Sequence, residues 1–428
     1  MAQPRKNFRK TNKGNYKKSF IPYPFQKNQN IELTIDGLTS QGHGVGRLNH
    51  DPAEGEPVEN WVVFVPYTLP GEKVKARVTH NSKKNSLAEL VEVITPSADR
   101  VEPVCRHFFY CGGCQLQHLN YDAQLVAKRD HLIAILDRIT DQKLAIQPPI
   151  ASPKIWNYRS KISPKFSKPE KDKIHSIGFH HHSDKQTIVD VVECPIAMEQ
   201  LNEALPFLRE AVKGRAKSIT EQGTILMRVN EERVETEAQN VVSQKVNGIN
   251  FYFLAKDFFQ NNPSILPEFT SYVAKQASSQ NAEFLIDAYC GSGLFALCLS
   301  NQFAKVVGIE VSPTSADWAR YNADFNDITN VEIFTGKAEG IFENAKFDPT
   351  LTSVVIDPPR AGCDRIFLEQ LFELGAKTVV YVSCDPGTQA RDLEHFLAAG
   401  YIVEEVQPFD LFPHTRHLEC VITFKKQS

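Results

Sequence analysis

Hydrophobic and polar positions alternate in short runs from Ile31 to Ile94, in IELTIDGL, NWVVFVPYTLPGEKVKARVTH and LAELVEVI, broken by GHGVGR, NHDPAEGEP and HNSKKNS. Period-two alternation with frequent glycine and proline breaks predicts a small antiparallel barrel of the OB kind. After Pro96 the spacing changes. A helical period runs through YDAQLVAKRDHLIAILDRI, and a long mixed α+β region follows to about Gly248. The last third differs again. EFLIDAYCGSGLFALCLS is an apolar run reaching an acid, a glycine-rich turn and an apolar-periodic helix. KVVGIEVS, SVVIDPP and TVVYVSCDP are further buried strands, each ending in polar residues. This alternation predicts an α/β domain with a parallel sheet whose ligand-binding edge lies at the carboxyl ends of its strands.

A chain of 428 residues exceeds one compact core. The pattern divides it into a basic disordered arm over 1–27, a barrel over 28–95, a central region over 96–250 and the α/β domain over 251–428. No internal repeat is found. No apolar run approaches the ~18 residues of a membrane span, and the first residues lack the apolar core of a secretory signal. A cytoplasmic, reducing setting is therefore expected. Nine cysteines there argue for metal binding or chemistry over disulfides.

Net charge is −3, but it is unevenly spread. Residues 1–27 hold eight Lys or Arg and no acid, interleaved with Phe8, Tyr16, Phe20 and Tyr23, which leaves about −11 for the remainder. A cationic arm on an acidic body suits phosphate tracking, although a solubilising tail has the same composition. Lys73, Lys75, Arg77, Lys83 and Lys84 around one barrel hairpin point the same way.

The segment GSGLFA, residues 291–296, satisfies the G-x-G-x-x-A dinucleotide pattern. Asp287, just before the turn, argues against a pyrophosphate at this helix start. S-adenosylmethionine carries a sulfonium and an ammonium and no phosphate, so it tolerates that acid. Glu310, at the tip of the next strand, suits a ribose diol. DPPR at 357–360 is similar to the Asp-Pro-Pro-aromatic motif of amino methyltransferases, with Arg360 in place of the aromatic. SCDPGT at 383–388 sets the Cys384 thiol in a polar turn at a strand end. A thiol beside a methyl donor suggests covalent activation of a pyrimidine.

FFQNN, DAYCGSG, VGIE, DPPRAG, SCDPGT with ARDL after it, and FPHTRHLECV occur in an order that resembles the RNA uracil-5-methyltransferases. Residues 31–94 resemble the TRAM domain that many members place first. The resemblance implies a Rossmann-like class I methyltransferase domain, with Gln260, Tyr289, Glu310 and Asp357 lining the S-adenosylmethionine site, Cys384 as nucleophile and Glu419 as base. Leu294 departs from relatives that have Asn there, and is expected only to pack.

Cys105, Cys111 and Cys114 are spaced C-x5-C-x2-C, and Cys194 lies 80 positions on. Spacing alone leaves zinc and an iron–sulfur cluster open. The resemblance to the iron–sulfur subgroup that methylates ribosomal RNA implies a structural [4Fe-4S] cluster on these four. Gly112 and Gly113 are expected to let the chain bend between two ligands. His180, His181 and His182 read as a solvated polar loop, and Cys363 as structural.

The expected function is transfer of a methyl group to carbon 5 of a uridine in RNA, most readily 23S rRNA, by a monomer. Alternatives are tRNA, another base such as cytosine, or an RNA-binding iron–sulfur protein with an inert methyltransferase domain. Intact SCDPGT and Glu419 oppose the last.

Overall fold

The structure is a computed structural model that describes residues 20–52, 55–337 and 347–427. Most of the basic arm, Arg5 to Lys18 included, lies outside the described residues. The described residues form two compact units, 20–39 with 43–98, and 40–42 with those from 99 to 427.

The first unit is a closed five-stranded barrel. Its strands β1 (Asn30–Leu38), β2 (His43–His50), β3 (Val58–Pro66), β4 (Lys73–Asn81) and β5 (Asn85–Thr95) are ordered β1-β2-β3-β5-β4. Alternate side chains point inward, as the pleat requires. Ile31, Leu33 and Ile35 of β1 meet Val74, Ala76 and Val78 of β4 in the core. Of the hairpin cations, Lys73 pairs with Glu32 at 3.2 Å and Arg77 pairs with Glu89. That partly neutralises the patch expected to meet nucleic acid.

The second unit opens with the cysteine segment and helix α1 (Tyr121–Leu136). Asn120 caps α1 by accepting from the Ala123 N–H at 2.9 Å. The buried positions of α1 recur every fourth residue as Gln124, Lys128, Leu132 and Leu136, so half of its inward stripe is polar. Two small antiparallel sheets follow. One is ordered β10-β7-β8-β9 and the other β12-β11-β6. Their strands are β6 (Lys161–Ile162), β7 (Lys165–Phe166), β8 (Ile177–His180), β9 (Ile188–Asp190), β10 (Gly223–Thr224), β11 (Met227–Asn230) and β12 (Arg233–Glu235). Helix α2 (Glu199–Gly214) packs Leu201 and Leu205 into their shared core. A hairpin of β13 (Val241–Val246) and β14 (Ile249–Leu254) comes next, and the expected start of the α/β domain at 251 falls inside β14.

Seven strands form the large sheet, in the order β17-β16-β15-β18-β19-β21-β20. They are β15 (Phe284–Ala288), β16 (Lys305–Glu310), β17 (Val331–Thr335), β18 (Thr352–Ile356), β19 (Thr378–Ser383), β20 (Tyr401–Phe409) and β21 (Glu419–Lys426). The first five are parallel, and β21 runs antiparallel between β19 and β20. Both faces are covered, which is why the strands read as continuous apolar runs. Helices α3 (Leu266–Ala277), α4 (Leu294–Cys298) and α5 (Pro313–Phe325) contribute to one apolar layer. α6 (Arg365–Leu374) and α7 (Pro386–Ala398) contribute to the other, where Leu132 and Leu136 of α1 join them. Residues 146–150 lie along the outer edge of β20 as a short parallel extension. The Gln147 N–H donates to Val406 O and the Ile150 N–H to Pro408 O, both at 2.9 Å.

Candidate active site and cysteine cavity

After β15 the chain turns through Tyr289, Gly291 and Gly293 at φ of +74°, +56° and +95°. Glycine adopts this region freely, whereas Tyr289 does so at a cost of roughly 1–2 kcal/mol. Two acids hold the turn. Glu310 accepts from the N–H groups of Gly291 at 3.0 Å and Ser312 at 2.7 Å, and Asp287 Oδ2 accepts from the Ala296 N–H at 2.8 Å. Asp287 is fully buried, and desolvation pushes its carboxyl up to about 8. Among the described residues its Oδ1 has no hydrogen-bond partner. An unpaired carboxyl oxygen beside this turn offers a hydrogen-bonding group to a small molecule, and a bound cation would draw it toward its ionised form.

The strand order reverses between β15 and β18, where ligands of open α/β sheets bind. Asp357 directly follows β18, and Cys384 directly follows β19. β21 pairs with β19 so that Ser383 faces Cys420, which sets Cys384 opposite Glu419. Tyr289, Glu310, Asp357, Cys384 and Glu419 thus share one edge of one sheet. Gln260 is buried in the segment between β14 and α3, and its neighbour Asn262 donates to Leu411 O at 3.0 Å. No side-chain hydrogen bond joins Gln260 to the other five among the described residues.

Burial shifts Glu419, Asp357 and Cys384 toward their neutral forms. Glu419 is buried, and desolvation, followed by the negative charge of Asp357, raises its carboxyl well above the usual range. Asp357 keeps some surface in contact with solvent, yet its carboxyl is enclosed enough to be pushed up to about 7 by desolvation. Cys384 is half-buried, and burial followed by Glu419 and Asp357 pushes its thiol up to about 11. The positive charge of Arg360 opposes this.

Arg360 is the site residue that the sequence pattern left out, because it was read as the loss of a stacking aromatic. Its signal was position, a cation three residues past a strand-end acid. The Arg360 charge opposes the effects of burial and Asp357 on Glu419. His417 also sits here, lowered to about 4 by burial and then by the Arg360 charge, so it is a neutral imidazole at neutral pH. Leu294 is buried in the apolar layer, as expected. Cys363 is buried too, with its backbone N–H on Asp392 at 2.9 Å.

Cys105, Cys111, Cys114 and Cys194 line one cavity of about 380 Å3. Cys105 and Cys111 are raised chiefly by burial, Cys194 is pushed up to about 12, and Cys114 goes higher still. Their mutual repulsion as anions adds to each of the last three. Among the described residues no three His, Cys, Asp or Glu lie close enough to hold a single metal ion. The glycines act differently from expectation. Neither Gly112 nor Gly113 has positive φ, but a Cβ on Gly112 would lie 3.2 Å from His180 O and 3.3 Å from His182 Cα. Gly112 therefore permits close approach rather than a left-handed bend, and its N–H donates to His180 O at 2.9 Å. The histidine run is consequently partly structural, with His180 ending β8.

Residues 218–427 match the family model described as tRNA (Uracil-5-)-methyltransferase, and residues 24–91 match the TRAM domain. A tRNA (uracil(54)-C(5))-methyltransferase of Schizosaccharomyces pombe is 38% identical, over 94% of this chain and 79% of its own. An uncharacterised RNA methyltransferase of Listeria monocytogenes is 31% identical, over 92% and 97%. The crystal structure of Pyrococcus abyssi tRNA (uracil-54, C5)-methyltransferase in complex with S-adenosyl-L-homocysteine superimposes with a TM-score of 0.70 at 24% identity. It covers 92% of this chain and 100% of that one, a likeness of fold. A strand-end thiol facing a carboxyl, inside a chain alike from barrel to last strand, gives one conclusion: the protein belongs to the tRNA (uracil-5-)-methyltransferase family of S-adenosylmethionine-dependent RNA-methylating enzymes, with a TRAM domain ahead of a class I methyltransferase fold.

Proposed function

We propose that Cys384 and Glu419 carry out methylation at carbon 5 of a uridine in RNA. The observation that carries this is the β19–β21 register, which sets the thiol opposite the carboxyl at the sheet's ligand edge. Tyr289, Glu310, Asp357 and Gln260 hold S-adenosylmethionine. When bound, it supplies an electrophilic methyl group that carbon 5 of the activated uracil takes up. Cys384 gives its proton to water and attacks carbon 6 as the thiolate, and the electron pair displaced from the ring double bond makes carbon 5 nucleophilic. Arg360 favours the thiolate. Once carbon 5 bears both methyl and hydrogen, Glu419, having given its own proton to water, removes that proton as the carboxylate, a base strengthened by burial. The C–H electrons restore the double bond, the carbon–sulfur bond breaks, and Cys384 leaves as thiolate. The uracil is taken out of its stack so that both ring faces can be reached.

The four cysteines support a [4Fe-4S] cluster. Four soft donors line one cavity, the ligand set that a cluster held by four thiolates requires. Cys105, Cys111, Cys114 and Cys194 would hold it, tying the segment after the barrel to the central region.

The named relatives favour a transfer-RNA uridine, since those of Schizosaccharomyces pombe and Saccharomyces cerevisiae are both described as uracil-54 enzymes. The cysteine quartet favours 23S rRNA, through resemblance to the iron–sulfur subgroup. Mapping 5-methyluridine in both RNAs from a strain lacking this protein decides between them.

Cys384→Ala and Glu419→Gln test the chemistry. The first should give neither product nor covalent complex. The second should accumulate a methylated protein–RNA adduct that survives denaturing electrophoresis. Normal turnover by Glu419→Gln, or methylation by Cys384→Ala, refutes the mechanism.

A further inference from the structure

The loop from Asp410 to Leu418, between β20 and β21, delivers Glu419 to the site, and it is buried where most loops run over the surface. A buried loop must find partners for its backbone. Here four consecutive carbonyls are each met by a donor from outside the large sheet. Leu411 O accepts from Asn262 Nδ2 at 3.0 Å, Phe412 O from Lys128 Nζ at 3.2 Å and Pro413 O from the Tyr158 hydroxyl at 3.1 Å. His414 O accepts from the N–H groups of Gln115 and Leu116, both at 3.0 Å. The donors' side also accepts. Gln124 Oε1 takes the His414 N–H at 3.0 Å, and Gln115 Oε1 takes that of Arg416 at 3.2 Å.

Two features show that this clamp fixes a conformation that the loop would not choose alone. His414 has φ of +66° and stacks on Trp156 with ring centroids 3.7 Å apart. A non-glycine residue there persists only when its surroundings over-determine it. Lys128 Nζ also meets Asp410 Oδ1 at 2.7 Å, with the two side chains 3% and 0% exposed. A buried ion pair is a poor source of net stability, because desolvation offsets the attraction and an apolar pair would fold as well or better. What it supplies is a defined geometry.

We propose that Lys128 and Gln115 are positioning residues for Glu419. By fixing Asp410–Arg416 they set where β21 begins, and hence where its first carboxylate meets carbon 5 of the adduct. The proposal rests on Glu419 being the base. It also assigns a task to the cysteine segment, whose end supplies Gln115, only one residue beyond Cys114. Cys384 is carried by β19 and its following turn, to which none of the clamp's donors or acceptors is hydrogen-bonded. Loosening the clamp should therefore slow proton removal and spare the earlier steps.

The test uses full-length protein with Lys128→Met, Lys128→Met/Asp410→Leu and Gln115→Ala, beside Glu419→Gln. Single-turnover methyl transfer and decay of the denaturation-resistant methylated RNA adduct are timed separately. At least one folded clamp variant should transfer methyl within about threefold of wild type while its adduct decays at least tenfold more slowly. S-adenosylmethionine affinity should be unchanged. The double variant removes the ion pair without stranding a charge, and Gln115→Ala leaves the pair intact. Wild-type adduct decay, equal slowing of both steps, or failure of all three variants to fold overturns the proposal. If Glu419→Gln itself builds no adduct, the base assignment fails instead.

Discussion

At pH 8.5 a thiol raised to about 11 is ionised in about one molecule in 300, against about one in four for a thiol at the usual 9.0. The deficit in thiolate is about seventyfold. A more basic thiolate is also the better nucleophile, by about tenfold over two units, so Cys384 should react about tenfold more slowly than an ordinary thiol of equal access. The perturbation is iodoacetamide applied to substrate-free protein from pH 6.5 to 9.5, with alkylation of the Cys384 peptide followed by mass spectrometry. The rate should rise about tenfold per pH unit without a plateau. In Arg360→Met the positive charge that lowers the thiol's pKa is lost, so alkylation should fall further at every pH. A plateau below pH 9, or faster alkylation in Arg360→Met, would refute the account of burial opposed by Arg360. The resting thiol is then an almost fully protonated group that becomes a nucleophile only when the base and its surroundings arrive.

Other outcomes follow from the same electrostatics. Asp287 binds a proton more tightly folded, at about 8, than at its ordinary 3.8. Stability should therefore fall as pH rises from about 4 to about 8 and level off above, and Asp287→Asn should flatten that slope in urea titrations at pH 5 and 8.5. Anaerobically purified protein should contain iron and labile sulfide in equal amounts, and Cys111→Ala should lose both along with folding yield; zinc without sulfide counts against the cluster. Deleting residues 1–27 removes eight cations, so the log–log salt slope for RNA binding should flatten by up to about seven units, with S-adenosylmethionine affinity unchanged. An unchanged slope makes the arm a passive tail.

The residues at strand ends were legible because their signal is local. Glu310, Asp357 and Cys384 each follow an apolar run directly, and in a parallel sheet that position is the ligand edge. The alternation in β1 and β4 likewise announced a barrel. The meeting of Cys384 and Glu419 was not legible from pattern. It depends on β21 entering antiparallel between β19 and β20, and the two residues are thirty-five positions apart; only family resemblance joined them. Lys128 was hidden for a related reason. On a helix rich in charge it reads as a solvated side chain, and its partner Asp410 lies 282 residues away. Arg360 was seen but misread, since its residue type was judged against an amine-binding motif rather than against the thiol that the fold brings beside it.

The 146–150 segment has a consequence for solubility. β20 closes the large sheet, and an open strand edge offers its N–H and C=O groups to any other chain. Here the protein caps that edge with its own backbone, and the capping stretch reads QPPI, with Pro148 and Pro149 having no N–H to pass the ladder on. The sheet therefore ends by covalent chemistry. Replacement of both prolines would restore N–H groups to that edge, and concentration-dependent self-association is the expected result.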